Sequence, residues 1–265
     1  MKAVQFAYGG AADLAAAKAA LAGEGVKPAA GTQSLGPMMN LRLVRPAALV
    51  DITDVPDLRA VREVPGGVLI GAAITHAEIE DGEIADPTPG WMKSAAGNIA
   101  HRAVRNRGTI GGSLAHADPA ADWAIVTTGL CAVIHIDGPA GARTLPVENF
   151  LTGPFTTALA PGEIIVGVEI PRPGDGARFG YWKYTRQVGE FAKASAAILD
   201  DPANGRRRAA LGALGGAPRL IADVDGLIEG RLSPQDAVAA TVPDLAVPAL
   251  HVTALTRALA MLDRR

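Results

Sequence analysis

The chain has 265 residues, with 25 Lys and Arg against 27 Asp and Glu and a formal charge of -2 at pH 7. That length supplies two domains of ordinary size, or one large one, and the balanced charge argues against a dedicated nucleic-acid or membrane-surface binder, which needs excess cations to neutralise phosphates. A single cysteine, Cys131, excludes an internal disulfide and is too few for an iron–sulfur cluster, so redox chemistry here needs another carrier.

With 52 alanines and only 11 aromatic residues, the core must be built from Leu, Ile, Val and much Ala. Asp13, Lys18 and Glu24 interrupt the first apolar stretches, so neither a signal peptide nor a membrane span is expected and the default address is cytoplasmic. Short apolar runs alternate with helical patterns at the start. Val4 to Tyr8 reads as a strand, Asp13 to Leu21 as a helix ended by Gly23, Val26 to Ala30 as a strand running into a loop, and Ala48 to Ile52 as another strand. Residues 1–55 therefore read as a small α/β unit.

Val68 to Ala72 opens a second unit. Thr75 to Glu78 is a capping-box pattern, Thr88-Pro89 places Pro at a helix start, and Asp118-Pro119 repeats that arrangement before an apolar helix from Ala120 to Leu130. Strands follow at Ala132 to Ile136, Arg143 to Leu145 and Ile164 to Ile170. The segment Pro171 to Gly176, with two prolines and two glycines, is the strongest linker signal. A boundary is placed there, giving domains 1–172 and 173–265. Beyond it, strand-like runs at Ala177 to Tyr184, Ala192 to Leu199 and Arg207 to Leu214 precede helical patterns at Pro234 to Ala240, with Ser233 as N-cap, and Pro248 to Leu262. Strands followed by helices indicate an α+β domain with an antiparallel sheet and helices on one face.

Two glycine loops carry the chemistry. Ala30-Gly31-Thr32-Gln33-Ser34-Leu35 follows a strand and precedes a short helical pattern from Met38 to Leu43; such a turn exposes backbone N–H groups in one concavity, as a phosphate requires. In Arg107-Gly108-Thr109-Ile110-Gly111-Gly112-Ser113, two consecutive glycines let a ligand approach the backbone while Thr109 and Ser113 add hydroxyls. Each loop alone reads more readily as a tight turn than as a phosphate site. Together they fit a ligand with two phosphates held between two subdomains. Neither has the spacing of a Rossmann fingerprint or a P-loop.

These two segments, with Asn40 to Leu43 after the first and the run from Arg105 to Asp122 around the second, closely resemble the FAD-binding medium subunit of the molybdenum hydroxylases, which include carbon monoxide dehydrogenase and xanthine dehydrogenase. The resemblance covers essentially the whole chain. It implies an α+β protein: a two-subdomain FAD-binding fold (PCMH/VAO type, subdomains about 1–55 and 56–172), followed by a C-terminal domain of the carbon monoxide dehydrogenase flavoprotein type. By resemblance, Ala30, Gly31, Thr32, Gln33, Ser34 and Leu35, with Thr109, Ile110, Gly111, Gly112 and Ser113, wrap the FAD diphosphate, and His116 belongs to the same flavin loop. Asp122 contacts a ribityl or ribose hydroxyl, Lys183 lies at the flavin pyrimidine edge, and Ile165 lies beside the ring. Each has a plainer reading: Asp122 as a solvated first-turn residue, Lys183 as surface, Ile165 as core.

The chain departs from the family pattern at Thr32, where the family has a second glycine; a side chain there crowds the diphosphate or forces a different backbone angle. The resemblance further implies electron transfer through FAD, without a catalytic residue on this chain. The molybdenum cofactor and [2Fe-2S] clusters belong to a large and a small partner subunit, in a dimer of heterotrimers. A self-sufficient flavin oxidoreductase and a scaffold that has lost FAD are the alternatives. No metal site is expected: His116 and Asp118 have only His101 nearby and complete no ligand set. His76, His135 and His251 read as structural, a hydrolase is rejected because the glycines around Ser34 are one residue too far apart, and Arg206 to Arg208 reads as a solvated turn, able to face an acidic subunit.

Overall fold

The computed structural model describes residues 2–263. The first unit is a parallel sheet. β1 (Ala7–Gly10), α1 (Leu14–Leu21), β2 (Val26–Ala29), α2 (Leu35–Asn40) and β3 (Ala48–Asp51) alternate along the chain, and the strands lie in the order β1-β3-β2. Asp13 caps α1 through a hydrogen bond from the Ala16 amide, as the sequence suggests. Two boundaries differ. The first strand starts at Ala7 rather than Val4, in register with Ala48, because β3 offers no earlier partner. The second helix begins at Leu35 rather than Met38, since Pro37 in its first turn has no need of an amide partner.

A short helix α3 (Pro56–Arg59) leads into an antiparallel sheet of β4 (Val61–Val64), β5 (Gly67–Gly71), β6 (Val133–Asp137), β7 (Arg143–Pro146) and β10 (Ile164–Pro171), ordered β4-β5-β10-β6-β7. Between β5 and β6 the chain makes five helices: α4 (His76–Asp81), α5 (Trp91–Gly97), α6 (Arg102–Arg105), α7 (Ile110–His116) and α8 (Asp122–Gly129). Helix α9 (Val147–Phe150) and the pair β8 (Leu151–Gly153) and β9 (Thr156–Thr157) complete this part. The capping box at the start of α4 is formed in full by Thr75 and Glu78. The two Pro-based helix starts are not. Helix α5 begins at Trp91 after Gly90, with the Thr88 hydroxyl accepting from the amides of Trp91 and Met92. Asp118 closes a local turn by accepting from the Ala120 amide, and α8 begins at Asp122. In both places the Pro lies before the helix.

Helix α8 is buried along its whole length. It is sandwiched between helices α5, α7 and α9 on one side and, on the other, a third sheet formed by β11 (Arg178–Tyr184), β12 (Ala194–Asp201), β13 (Arg206–Gly212) and β14 (Arg219–Leu220), all antiparallel and in chain order. That double coverage explains why its sequence is apolar on every side. Glycines admit the close contact: a Cβ on Gly129 falls 2.8 Å from the Ala197 Cβ, and one on Gly212 falls 3.1 Å from the Ile125 Cβ. Helices α10 (Val224–Ile228), α11 (Pro234–Thr241) and α12 (Pro248–Met261) cover the other face, burying Leu227, Val238 and Leu255 against Ala196, Ile198 and Leu211.

The expected linker is shorter than its composition suggests, because β10 runs through Pro171, paired with Gly67. Arg206 to Arg208 are not a solvated turn. They open β13, and each is ion-paired within the chain: Arg206 with Asp201, Arg207 with Asp200 and Asp225, and Arg208 with Glu148. Their charge is already matched inside the fold, which weakens the case for an acidic partner there.

Candidate functional site

The two glycine loops meet. A Cβ built on Gly31 would lie 2.0 Å from the Arg107 carbonyl oxygen and 2.7 Å from the Gly108 Cα, so only glycine permits this backbone-on-backbone contact. The joint floors a cleft of about 510 Å³ between the parallel sheet, the second sheet and the loop after β11, within the size range of cofactor sites. Of the expected site residues, Ala30 to Leu35, Thr109, Gly111, Gly112, Ser113, His116, Asp122 and Ile165 line it. Ile110 and Lys183 do not; Ile110 is fully buried beneath the second loop.

The loops contribute unequally. Among the described residues, the consecutive amides of Thr32, Gln33, Ser34 and Leu35 donate to no protein acceptor, and the Ser34 side chain makes no capping bond. A row of N–H groups without protein acceptors at the wall of a cleft is chemically suited to receive an anion. Thr32 holds φ at +57°. The left-handed backbone explains why glycine suits this position.

In the second loop the amides from Ile110 to Ser113 are spent, and only that of Thr109 has no protein acceptor among the described residues. Ile110 donates to the Ile74 carbonyl, Gly111 to Ala72, Gly112 to the Thr109 hydroxyl at 3.0 Å, and Ser113 to the Thr109 carbonyl. Thr109 is therefore the N-cap of α7, and its hydroxyl oxygen is committed as an acceptor rather than standing free. Gly111 serves packing, since its Cβ would fall 2.5 Å from that of Ala72. A Cβ on Gly112 would fall 2.7 Å from the Thr109 hydroxyl oxygen and 3.9 Å from the Ala30 Cβ, so this glycine leaves room for the cap and faces the first loop. The hydroxyl of Ser113 makes no protein hydrogen bond among the described residues.

Asp122 is not a solvated residue but a buried one. Its Oδ1 accepts from the Tyr181 hydroxyl at 2.6 Å and pairs with the Lys183 ammonium at 2.7 Å, both from β11. The ammonium also donates to the Asn98 carbonyl at 2.8 Å. Lys183 is thus a partner of Asp122 rather than an exposed surface residue, and it is not among the residues that line the cleft. Burial pushes the Asp122 carboxyl up, against the pull of Lys183 and of the bonds from Lys183 and Tyr181. Burial, then the charge of Asp122, raises the Tyr181 phenol well above its ordinary value, so it remains a donor.

His116, on the last turn of α7, packs against Phe155 with ring centroids 5.1 Å apart and the planes tilted by 50°. Ile165 sits in β10 where the register with β6 shifts; it is buried, as a core residue would be, and also lines the cleft. His135 pairs with Glu169 at 2.7 Å, and His251 with the Gly212 carbonyl. Those two are structural. Sequence reasoning missed Phe155, Phe191 and His76, all on the cleft wall. Phe155 and Phe191 carry a signal, large apolar side chains in loops that the structure leaves more than half exposed.

Unpaired amides on one loop, small residues on the other, and a buried carboxylate on the same cleft are the parts of a site for a diphosphate-linked cofactor with hydroxyl groups. Residues 4–173 match the family described as the FAD binding domain in molybdopterin dehydrogenase, and the chain belongs to that family. It is 36% identical over 222 residues to the nicotine 6-hydroxylase medium subunit of Paenarthrobacter nicotinovorans, covering 82% of this chain and 78% of the relative. A second relative from that organism, the 6-hydroxypseudooxynicotine dehydrogenase complex subunit alpha, is 36% identical over 245 residues, 89% of this chain and 83% of the relative. A solved carbon monoxide dehydrogenase from Hydrogenophaga pseudoflava superposes with a TM-score of 0.88 at 30% identity, covering 99% of this chain and 98% of that one. The fold is thus the α+β FAD-binding fold of these flavoprotein subunits, and the chain is an oxidoreductase component. Among the described residues no helix is long and apolar enough to cross a membrane, and no cluster of His, Cys, Asp or Glu could hold a metal ion.

Proposed function

We propose that this chain is the electron-transferring medium subunit of a molybdenum hydroxylase, with FAD in the cleft between its two glycine loops. The observation that carries the reading is the row of unpaired amides from Thr32 to Leu35, opposite Gly112 and on one cleft with the buried Asp122. These groups fit FAD: the amides and the Ser34 and Ser113 hydroxyls would hold the diphosphate, and Asp122 would accept from a sugar or ribityl hydroxyl. When bound, FAD supplies two-electron redox chemistry. The chain orients it. Tyr181 and Lys183 fix the Asp122 carboxylate, Phe155 and His116 form one wall, and Ile165 forms part of the floor.

On this reading electrons arrive from [2Fe-2S] clusters on a small subunit, which draw on a molybdenum centre in a large one, and leave FAD for an external acceptor. The single cysteine here is consistent with clusters housed elsewhere. We assign residues 1–172 to FAD binding, as subdomains of about 1–55 and 56–172, and residues 173–265 to a domain that closes the cleft from behind. A dimer of heterotrimers is the assembly we expect from the family resemblance, with the cytoplasm as the default location.

The visible absorption spectrum of the purified full chain, with chemical identification of any released flavin, tests this reading. Stoichiometric FAD, no substrate turnover by the isolated chain, and co-purification with a large and an iron–sulfur subunit are expected. Turnover without partners would establish a self-sufficient oxidoreductase. A folded assembly without flavin would establish a scaffold.

A further inference from the structure

We infer that His76 is a ligand-binding residue of the cleft, its Nε2–H donating a hydrogen bond to a diphosphate oxygen of the bound cofactor. The inference rests on the reading that FAD fills this cleft. His76 opens α4, is only 5% exposed, and lines the cleft wall. Its Nδ1 lies 3.0 Å from the indole Nε1 of Trp123. Indole nitrogen only donates, so Nδ1 is the acceptor, and the neutral ring carries its proton on Nε2.

That proton has no protein acceptor among the described residues, and its nitrogen keeps some accessible surface on a residue that lines the cleft. Its position indicates which part of a ligand it meets. A Cβ built on Gly108 would fall 2.8 Å from Nε2, while Gly108 on its other side touches Gly31. The imidazole therefore sits at the joint of the two loops, beside the residues that lead into the unpaired amides. The anionic acceptor of FAD is its diphosphate, and the same amides favour it there. A neutral donor suits this place, and the ring is kept neutral: burial, then the nearby Arg105, lowers His76 to about 4.

The test uses the full chain stripped of flavin, with FAD, ADP and riboflavin as probes. His76→Asn keeps an acceptor near the Nδ1 position for Trp123 but removes the Nε2 donor, whereas His76→Gln restores an N–H near Nε2. We expect His76→Asn to weaken FAD and ADP about tenfold or more, as loss of a hydrogen bond to a charged acceptor does, and to leave riboflavin affinity unchanged. His76→Gln should recover part of the loss. Wild-type affinity for FAD and ADP in His76→Asn, or an equal loss for riboflavin, overturns the assignment. Nitrogen NMR of the wild-type chain gives an answer independent of variant folding: added ADP should move the His76 Nε2–H resonance and slow its exchange, and an unmoved resonance in the ADP complex refutes the contact. A wild-type chain that takes up neither FAD nor ADP refutes the cofactor reading itself, and this assignment with it.

Discussion

Gly31 rests directly on the carbonyl of Arg107. Its missing side chain, for which only 2.0 Å is available, brings the end of β2 against the start of the second loop, and so joins the parallel sheet to the helices above the second sheet. Gly31→Ala should force the loops apart, destabilising the chain by about 1–3 kcal/mol as overpacking does, and should release FAD. Thermal unfolding together with flavin retention on gel filtration checks both effects. Retention of stability and flavin would mean that the loops part without consequence.

Thr32 is held at a φ of +57°, a conformation unfavourable for a side chain with a branched Cβ by about 1–2 kcal/mol. Glycine removes that strain, but its freer unfolded chain takes back about 0.5–1 kcal/mol. Thr32→Gly is therefore expected to range from neutral to about 1.5 kcal/mol stabilising, with FAD bound at least as tightly. A denaturant titration and a flavin dissociation constant measure the two. Weaker binding in the glycine variant would show that the threonine side chain itself holds the ligand.

Asp122, Tyr181 and Lys183 form one buried group. Asp122→Ala leaves the Lys183 ammonium, 11% exposed, without its carboxylate and should cost about 3–5 kcal/mol. Tyr181→Phe removes one hydrogen bond to a carboxylate that Lys183 still balances, and should cost about 1–3 kcal/mol. Chemical denaturation of both variants should rank them in that order. Equal losses would contradict the ion pair.

The neutral, buried His76 makes stability depend on pH. Its folded pKa of about 4 lies below the ordinary value of 6.5, so between these values the unfolded chain binds the extra proton. Its contribution is intact above pH 6.5 and is lost as pH falls toward 4, by at most about 3 kcal/mol. Unfolding free energies from pH 7 to pH 4.5 should show this slope in the wild type and a shallower one in His76→Gln. Parallel curves would place the proton elsewhere.

The sequence by itself determined the local chemistry of this protein. The capping box at Thr75, the cap at Asp13, the strand patterns of the C-terminal sheet and the two glycine loops rest on contacts between near neighbours in the chain, or on alternation that faces one way. From the loops and their flanking residues the family, and with it FAD, could be read. Tertiary structure alone decided which loop still has amides to offer. The glycines look alike in sequence, but the loop after β5 accepts the amides of Ile110 and Gly111, and no nearby segment does so for Thr32 to Leu35. Lys183 and Asp122 are 61 positions apart, and nothing local in either stretch marks them as partners. His76 read as an ordinary capping-turn residue because its two defining neighbours, Trp123 and Gly108, arrive from distant parts of the chain. A hydrogen bond between remote residues leaves no periodicity, and only the packed fold brings its ends together.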